Sequence, residues 1–564
     1  MPKQQYAADT ESTTAATDTE SSRVWAWCMV DVTTPHRSKV RRGTDIGSFL
    51  TECSMVGGIV WFHNLRWDAR FVISELLERG WAHVDSRFPK DRQYTTCIDG
   101  MGQWFSVKVR WDNGRSTEFR DSLKKLPMSV REVALAFGSE DLLGDDAEKE
   151  SIDYDAPRPP GYRPTRQEWH YIENDVLIVA RALATQLSHG FDRLTVGADA
   201  LAEFKELVGP KAWKYLFPPL EADVDAEIRR SYRGGFTYAD PRYSKRHIGP
   251  GRVYDVNSLY PSVMKEEPLP WGIPVRFEGW PPPTDEQYTL WTASLTLTAR
   301  LKPDRVPCIQ IKGDSRFAPT EYLEVLEHPT DITVTSVDYE LWCEQYDLEV
   351  IACHGGWLFQ SQTGMFDAYI DKWYDIKAES KKSGNKGMYT ISKLMQTSLY
   401  GKFATNPEAT KKVPILDQDG VLRLRATESE DREPVYTAVG AFTTAYARAK
   451  TIRAAQANYG RFAYADTDSI HLVGLGDPVA MDVDPIRLGA WKHEYDFTRA
   501  WWNAPKQYCE EHGGEWEVHI AGLPRKLAAG VRPEDFEQHT LVTGKLLQKA
   551  VKGGVVLIPT DFQL

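Results

Sequence analysis

The segment Tyr464-Ala465-Asp466-Thr467-Asp468-Ser469, bounded by the apolar stretches Phe462 to Ala463 and Ile470 to Val473, constrains this chain more than any other. Short apolar runs on either side of a polar turn read as a β-hairpin with two carboxylates at its tip. Asp is common in turns because it bonds its own backbone, so a lone D-x-D is ordinarily structural. The five fixed residues of Y-x-D-T-D-S are different, since they arise by chance in a chain this long on the order of once in several thousand.

A second carboxylate stands in Tyr254-Asp255-Val256-Asn257-Ser258-Leu259-Tyr260-Pro261-Ser262, where a strand ending at Val256 runs into a helix. Asp255 then projects from a strand end. Acidic residues from two strands are what a pair of Mg²⁺ ions, roughly 3.5–4 Å apart, needs to activate a 3′-hydroxyl and stabilise a leaving pyrophosphate. The third element is Lys393-Leu394-Met395-Gln396-Thr397-Ser398-Leu399-Tyr400-Gly401. Helical spacing puts Lys386, Lys393, Thr397 and Tyr400 along one face, where a lysine can hold triphosphate oxygens and Tyr400 can stack on a base pair. The alternative is an amphipathic helix with Tyr400 in the core, which the segment favours when taken alone.

Length excludes a single core: 564 residues and 64.1 kDa call for three or more domains. A net charge of −12 excludes a protein that coats nucleic acid through bulk charge. Any nucleic-acid channel must be a local basic lining, and residues 369–404 offer one, with seven lysines, Lys377 among them, against three acids; a solvated helix face is the ordinary alternative for such a run. Seven scattered cysteines without a C-x-x-C suggest neither a disulfide framework nor a zinc site and fit a reducing cytoplasm. No run reaches the roughly 18 apolar residues of a membrane span.

From Tyr6 to about Leu194 short apolar strands alternate with helical stretches, an α/β pattern. Acidic residues 138–150 and proline-rich residues 157–164 read as surface loops inside it. In Asp9-Thr10-Glu11 the period-2 geometry of a strand sends both carboxylates to one face. Asp68 follows a strand ending near Phe62, placing it at a strand end or in a first helical turn. Tyr171 and Asp175, four apart on a helix, share a face. Asp9, Glu11, Asp68 and Asp175 together suffice for a second two-metal site, with Tyr171 orienting an attacking water.

In this order, D-x-x-S-L-Y-P, K-x-x-x-x-S-x-Y-G and Y-x-D-T-D-S resemble motifs A, B and C of family B DNA polymerases. More closely, the chain resembles the protein-primed branch that replicates terminal-protein-capped linear genomes of small Bacillus phages, from Tyr6 to Gly553-Gly554-Val555-Val556-Leu557. One departure is Thr397, where the family usually has Asn. The resemblance implies Asp255, Asp466 and Asp468 as polymerase carboxylates, a metal-facing backbone carbonyl at Val256, and Tyr260 as a steric gate against a ribose 2′-hydroxyl. It implies that Tyr232-Arg233-Gly234-Gly235 is the linker coordinating synthesis with proofreading, and that Lys506-Gln507-Tyr508 is the primer-contacting K-x-Y. The exonuclease residues match the family's three Exo motifs, its single-stranded DNA contacts map onto His63, Asn64, Phe71, Ser122 and Leu123, and Lys149 resembles a catalytic lysine. An ordinary surface lysine is the alternative for Lys149.

The expected architecture is α/β and α+β multidomain. An RNase H-like 3′→5′ exonuclease (residues 1–195) precedes a right hand of palm (196–266 and 434–523), fingers (369–404) and thumb (524–564). Two terminal-protein-region modules (267–368 and 405–433) are inserted. The expected cofactor is Mg²⁺ in both sites, with Mn²⁺ as the alternative ion. The expected partners are template-primer and single-stranded DNA, dNTPs and a terminal protein, bound by a monomer in the host cytoplasm. Two rivals remain at this level: a primer-independent family B polymerase, separated by a test for a covalent protein–dNMP product, and an exonuclease or DNA-binding replication factor without polymerase activity, separated by dNTP incorporation.

Overall fold

The computed structural model describes residues 3–13, 22–143, 152–153, 156–283, 287–311 and 322–564. An eight-stranded sheet organises the N-terminal third. Its order is Arg41–Gly43, Val24–Asp31, Gln5–Ser12, Gly58–Phe62, Ser116–Asp121, Trp104–Arg110, Gln93–Ile98 and Ala82–His83. Gln5–Ser12 runs antiparallel to Val24–Asp31 and parallel to Gly58–Phe62. Val24–Asp31 is buried along nearly its whole length, because it is apolar on both faces and both faces are covered. Ile46–Val56 and Leu65–Glu78 cover one face through Phe49, Leu50, Leu65 and Val72. The long helix Arg166–Ser188, opened by the capping box of Thr165 and Glu168, covers the other through Tyr171, Ile172 and Val176.

The proline-rich loop at 157–164 is more than surface. The Arg158 guanidinium lies 4.2 Å over the Trp25 ring and donates to Glu168 at 2.9 Å, pinning the loop to the helix start. Of the acidic loop, the described part holds a short 3₁₀ turn, Glu140–Leu142. Lys149 lies outside the described residues.

A five-stranded antiparallel sheet carries the next region, in the order Trp491–Phe497, Gly251–Val256, Ser469–Val473, Phe462–Asp466, Thr237–Ala239. Strands about two hundred residues apart in the chain thus become neighbours. The helix Thr437–Ala457 backs it, and its small residues permit close packing: a Cβ on Gly440 would meet the Ala404 Cβ at 2.7 Å. The helical stretch expected over 369–404 is two helices, Asp367–Ser383 and Lys386–Phe403. Gly384, at φ +72°, ends the first, and the Asn385 side chain caps the second. One apolar core runs from the five-stranded sheet through these helices.

Residues beyond Glu266 form a four-stranded antiparallel sheet ordered Leu269–Phe277, Tyr346–Gln362, Leu290–Leu301, Val325–Thr335. Leu269–Phe277, rich in proline and glycine, is the edge strand. Pro270 and Pro274 are tolerated at an edge, and Gly272, at φ +78°, lies in a register break. After the helix Lys386–Phe403 a hairpin, Glu408–Leu416 with Leu422–Asp431, projects around a turn whose Asp417 carboxylate accepts the Val421 N–H at 2.8 Å. The C-terminal hairpin, Leu541–Val551 with Gly554–Gln563, meets it tip to tip through a Val421–Lys552 bridge. Both reach the N-terminal sheet region, one through an Asp99–Lys411 bridge and the other through Ser22 N–H to the Lys552 carbonyl at 3.1 Å.

Candidate active sites

Sheet register brings the sequence's two carboxylate motifs together. Asp255 pairs with Ser469, which pairs on its other side with Asp466. The Val256 N–H donates to the Asp468 carbonyl at 2.8 Å, so Asp255 and Asp468 stand on neighbouring strand ends. The turn between the two aspartates is tight, with Thr467 at φ +63° and the Asp468 N–H bonded to the Asp466 carbonyl at 2.8 Å. It is held from both sides: the Thr467 N–H donates to Phe236, and the Thr467 carbonyl accepts the Thr451 hydroxyl at 2.9 Å. A Cβ on Gly235 would meet the Thr467 side chain at 2.7 Å, which is a packing reason for glycine in Tyr232-Arg233-Gly234-Gly235.

The electrostatics set the three aspartates apart. Burial, then the Asp468 and Glu494 carboxylates, push Asp255 up to about 8, against the pull of Lys492 and Lys393. Asp468 is also raised, first by burial, with Asp466 adding to it. Asp466 is engaged elsewhere: Lys506 Nζ donates to both its oxygens at 2.8 and 2.9 Å, and the Thr237 hydroxyl to one at 3.0 Å. Asp255, Asp468 and the Val256 carbonyl are hard oxygen donors that repel one another without a cation, which fits Mg²⁺. Among the described residues no three His, Cys, Asp or Glu side chains form a complete metal cage.

Cations from the helix pair surround these carboxylates. Lys393 and Thr397 are exposed on one helix, the Thr397 hydroxyl donating back to the Lys393 carbonyl at 3.0 Å. Burial, then Lys393, Lys381 and Lys492, hold Lys377 below the usual lysine range, and its Nζ lies 3.4 Å from the Ser258 hydroxyl. Lys492 is paired with Glu494 at 2.7 Å, and the clustered ammonium groups of Lys377, Lys381 and Lys393 suit a polyanion. Tyr260 and Tyr400 stack beside it. Lys506 sits at the turn between the strands Arg499–Ala504 and Gln507–His512, and the Tyr508 ring lies 4.8 Å from that of Tyr464.

At the N-terminal sheet, Asp9 and Glu11 lie on Gln5–Ser12 opposite Cys28 and Ala26. They share the face that packs on the helix carrying Tyr171 and Asp175, both buried. Asp68 sits in the first turn of Leu65–Glu78, and the Thr10 N–H and hydroxyl bind its Oδ1 at 3.2 and 2.6 Å, tying that helix to the strand. Burial raises Asp68 to about 7, with a smaller push from Asp121.

Several expected DNA contacts turn inward. His63 bonds Ser122 at 2.9 Å and the Met128 carbonyl at 2.7 Å, and Ser122 is fully buried. Both therefore act first as a clamp between loops. Phe71, expected as a single-stranded DNA contact, is buried under Gly554, whose missing side chain makes room for the ring. The Arg233 guanidinium is buried as well, lying over the Trp342 ring and donating to the Ser231 carbonyl at 3.0 Å. Asn64, at φ +83°, and Leu123 remain half-exposed, as does Tyr232, while Gly234 is exposed.

Three residues escaped the sequence. Asp121 accepts the N–H groups of Asn64, Leu65 and Leu123 at 3.0–3.3 Å, assembling the loops beside Asp68. Arg448 binds buried Asp338 bidentately and donates to the carbonyls of Arg233 and Gly234. Glu494 reaches Asp255 only because its strand lies alongside. None stands in a motif; alternation of Lys492 and Glu494 along one strand was the sole signal.

A family model described as DNA polymerase type B, organellar and viral, matches residues 147–484. The chain is 38% identical to the DNA polymerase of Bacillus phage B103 over the whole of both chains, and 30% identical to that of Streptococcus phage Cp-1 over 99% and 98% of them. The solved structure of phi29 DNA polymerase with primer-template DNA and incoming nucleotide matches with a TM-score of 0.91 at 38% identity, covering all of both chains. With its paired strand-end carboxylates and that full-length likeness, the chain belongs to the type B DNA polymerases, in their organellar and viral branch.

Proposed function

We propose that this chain copies DNA at the Asp255–Asp468 site and removes mispaired 3′ ends at the Asp9, Glu11, Asp68 and Asp175 site. The observation that carries the proposal is the Val256–Asp468 hydrogen bond, which puts two desolvated carboxylates side by side at a sheet end. When bound, Mg²⁺ would supply an acidified 3′-hydroxyl and neutralise the leaving pyrophosphate. Asp255, Asp468 and the Val256 carbonyl would hold it. Lys393 and Lys377 bind triphosphate oxygens as point charges. Tyr260 occupies the space a 2′-hydroxyl would take, with Thr397 and Tyr400 beside the nascent pair. Lys506 and Tyr508 hold the primer end. In the second site Tyr171 orients the hydrolytic water and Asn64 and Leu123 contact the single strand.

The domain plan follows: exonuclease at 1–195, palm at 196–266 and 434–523, fingers at 369–404, thumb at 524–564. The sheet module at 267–368 receives a terminal protein as primer. The hairpin at 405–433, touching the thumb tip and the exonuclease, closes a channel that confers processivity and peels the non-template strand away. The enzyme works as a monomer in the host cytoplasm. Among the described residues no helix is long and apolar enough to cross a membrane.

Primer extension with Mg²⁺ on a long primed circle tests this. Product far longer than the circle is expected, and no dNTP incorporation by the folded protein would overturn it. A covalent terminal protein–dNMP product tests the priming step.

A further inference from the structure

Glu510 has no solvent exposure and lies two residues beyond Tyr508 on the strand Gln507–His512. A buried carboxylate is costly unless its lone pairs are engaged. Here Oε1 lies 2.6 Å from His471 Nδ1 and accepts the Trp502 indole N–H at 3.0 Å, while Oε2 accepts the Tyr495 hydroxyl at 2.8 Å. The partners come from three places: His471 from the carboxylate hairpin, Tyr495 from the edge strand Trp491–Phe497, and Trp502 from Arg499–Ala504, which with Gln507–His512 and Glu515–Ile520 forms a small three-stranded sheet. Glu510 therefore staples the small sheet to the five-stranded one.

From His471 the contacts continue to the active site. His471 pairs across the hairpin with Tyr464, their rings edge to face at 5.1 Å. The Tyr464 hydroxyl accepts the Lys506 N–H at 2.9 Å. Lys506 has φ +61°, a left-handed conformation that a lysine keeps only where its surroundings hold it. From there its Nζ reaches Asp466. Strand alternation puts Tyr508 and Glu510 on one face, and the His471 ring that Glu510 grips meets the Tyr508 ring edge-on at 5.5 Å.

We propose that Glu510, through His471 and Tyr495, is a positioning residue that presses Lys506-Gln507-Tyr508 against the carboxylate hairpin and so sets how long a primer end stays in the polymerase site before it moves to the exonuclease site. This rests on the assignment of Lys506 and Tyr508 to the primer end. A merely structural network would affect both activities together. A positioning network changes their balance on duplex primer and leaves hydrolysis of single-stranded DNA alone.

The test is the dNTP concentration at which a matched primer-template switches from net degradation to net extension, measured in the full-length enzyme. Glu510→Leu should raise it about fivefold or more while single-strand hydrolysis stays within about twofold of wild type. Glu510→Gln keeps an acceptor for His471 and Trp502 and an amide donor for Tyr495, and should restore the switch point to within about twofold. If Glu510→Leu fails to fold, Tyr495→Phe, which removes one hydroxyl, should still raise the switch point. A folded Glu510→Leu or Tyr495→Phe with a wild-type switch point, or a parallel loss of extension and single-strand hydrolysis, overturns the proposal. Lys506→Ala serves as the control. If Lys506→Ala leaves the switch point unchanged, the primer assignment beneath the proposal is what fails.

Discussion

The rings of Tyr260 and Tyr400 stack with centroids 4.0 Å apart and planes 26° apart. Tyr260 belongs to the helix that follows Asp255, and Tyr400 to the helix that carries Lys393, so the stack joins the carboxylate strand to the lysine face.

That stack fixes the ring proposed to crowd a 2′-hydroxyl. Tyr260→Ala should raise the ratio of ribonucleotide to deoxyribonucleotide incorporation on the order of tenfold or more, even as total activity falls. Tyr400→Leu, which removes the supporting ring, should move the ratio in the same direction by less. Single-nucleotide incorporation with paired rNTP and dNTP measures both. An unchanged ratio in active Tyr260→Ala would reduce that tyrosine to packing.

The two carboxylate sites lie on different sheets and should fail independently. Asp468→Ala removes a charge that Asp466, tied to Lys506, is not free to replace. Polymerisation should drop by about three orders of magnitude, on the order of 4 kcal/mol, with single-strand hydrolysis intact. Asp9→Ala with Asp68→Ala should do the reverse. Loss of both activities in either variant would point to one shared site or a folding defect.

Cation removal should expose a pH-dependent instability. Asp255 is raised from 3.8 to about 8 in the folded chain, so between these values the folded state keeps a proton that the unfolded state has released. Stability is then fully present below about pH 4, falls as pH rises through about 8, and levels off above. Asp68, raised to about 7, acts the same way over a narrower window. In EDTA the thermal midpoint of wild type should fall across this range more than that of Asp255→Asn, which has no charge to desolvate. Mg²⁺ added at pH 8 should raise the wild-type midpoint and move the variant less. Parallel pH curves for the two proteins would refute the coupling.

Displacement should depend on the hairpin whose tip meets Lys552. Replacing residues 407–430 by a short Gly/Ser bridge should preserve filling of short gaps. Long synthesis should become distributive and stall at duplex. Extension on a gapped template against a nicked circle, at enzyme too dilute to rebind, measures the difference; full displacement by a folded deletion variant would sink this mechanism.

Local chemistry was readable in the chain itself. The strand end at Asp255 and the helical face of Lys393 and Thr397 follow from side-chain spacing among adjacent residues. The motif order also made the family recognisable. Burial was not readable at Phe71 and Arg233, because an aromatic ring or a guanidinium turns inward only when a distant segment, Gly554 or Trp342, arrives to cover it. Nor was the edge strand Leu269–Phe277, since prolines forbid a central strand yet permit one whose free side meets no partner. Glu494, Asp121, Arg448 and Glu510 act on residues far along the chain, and only sheet register and packing decide those distances, because the free energy that sets them belongs to the whole core and not to any window of sequence.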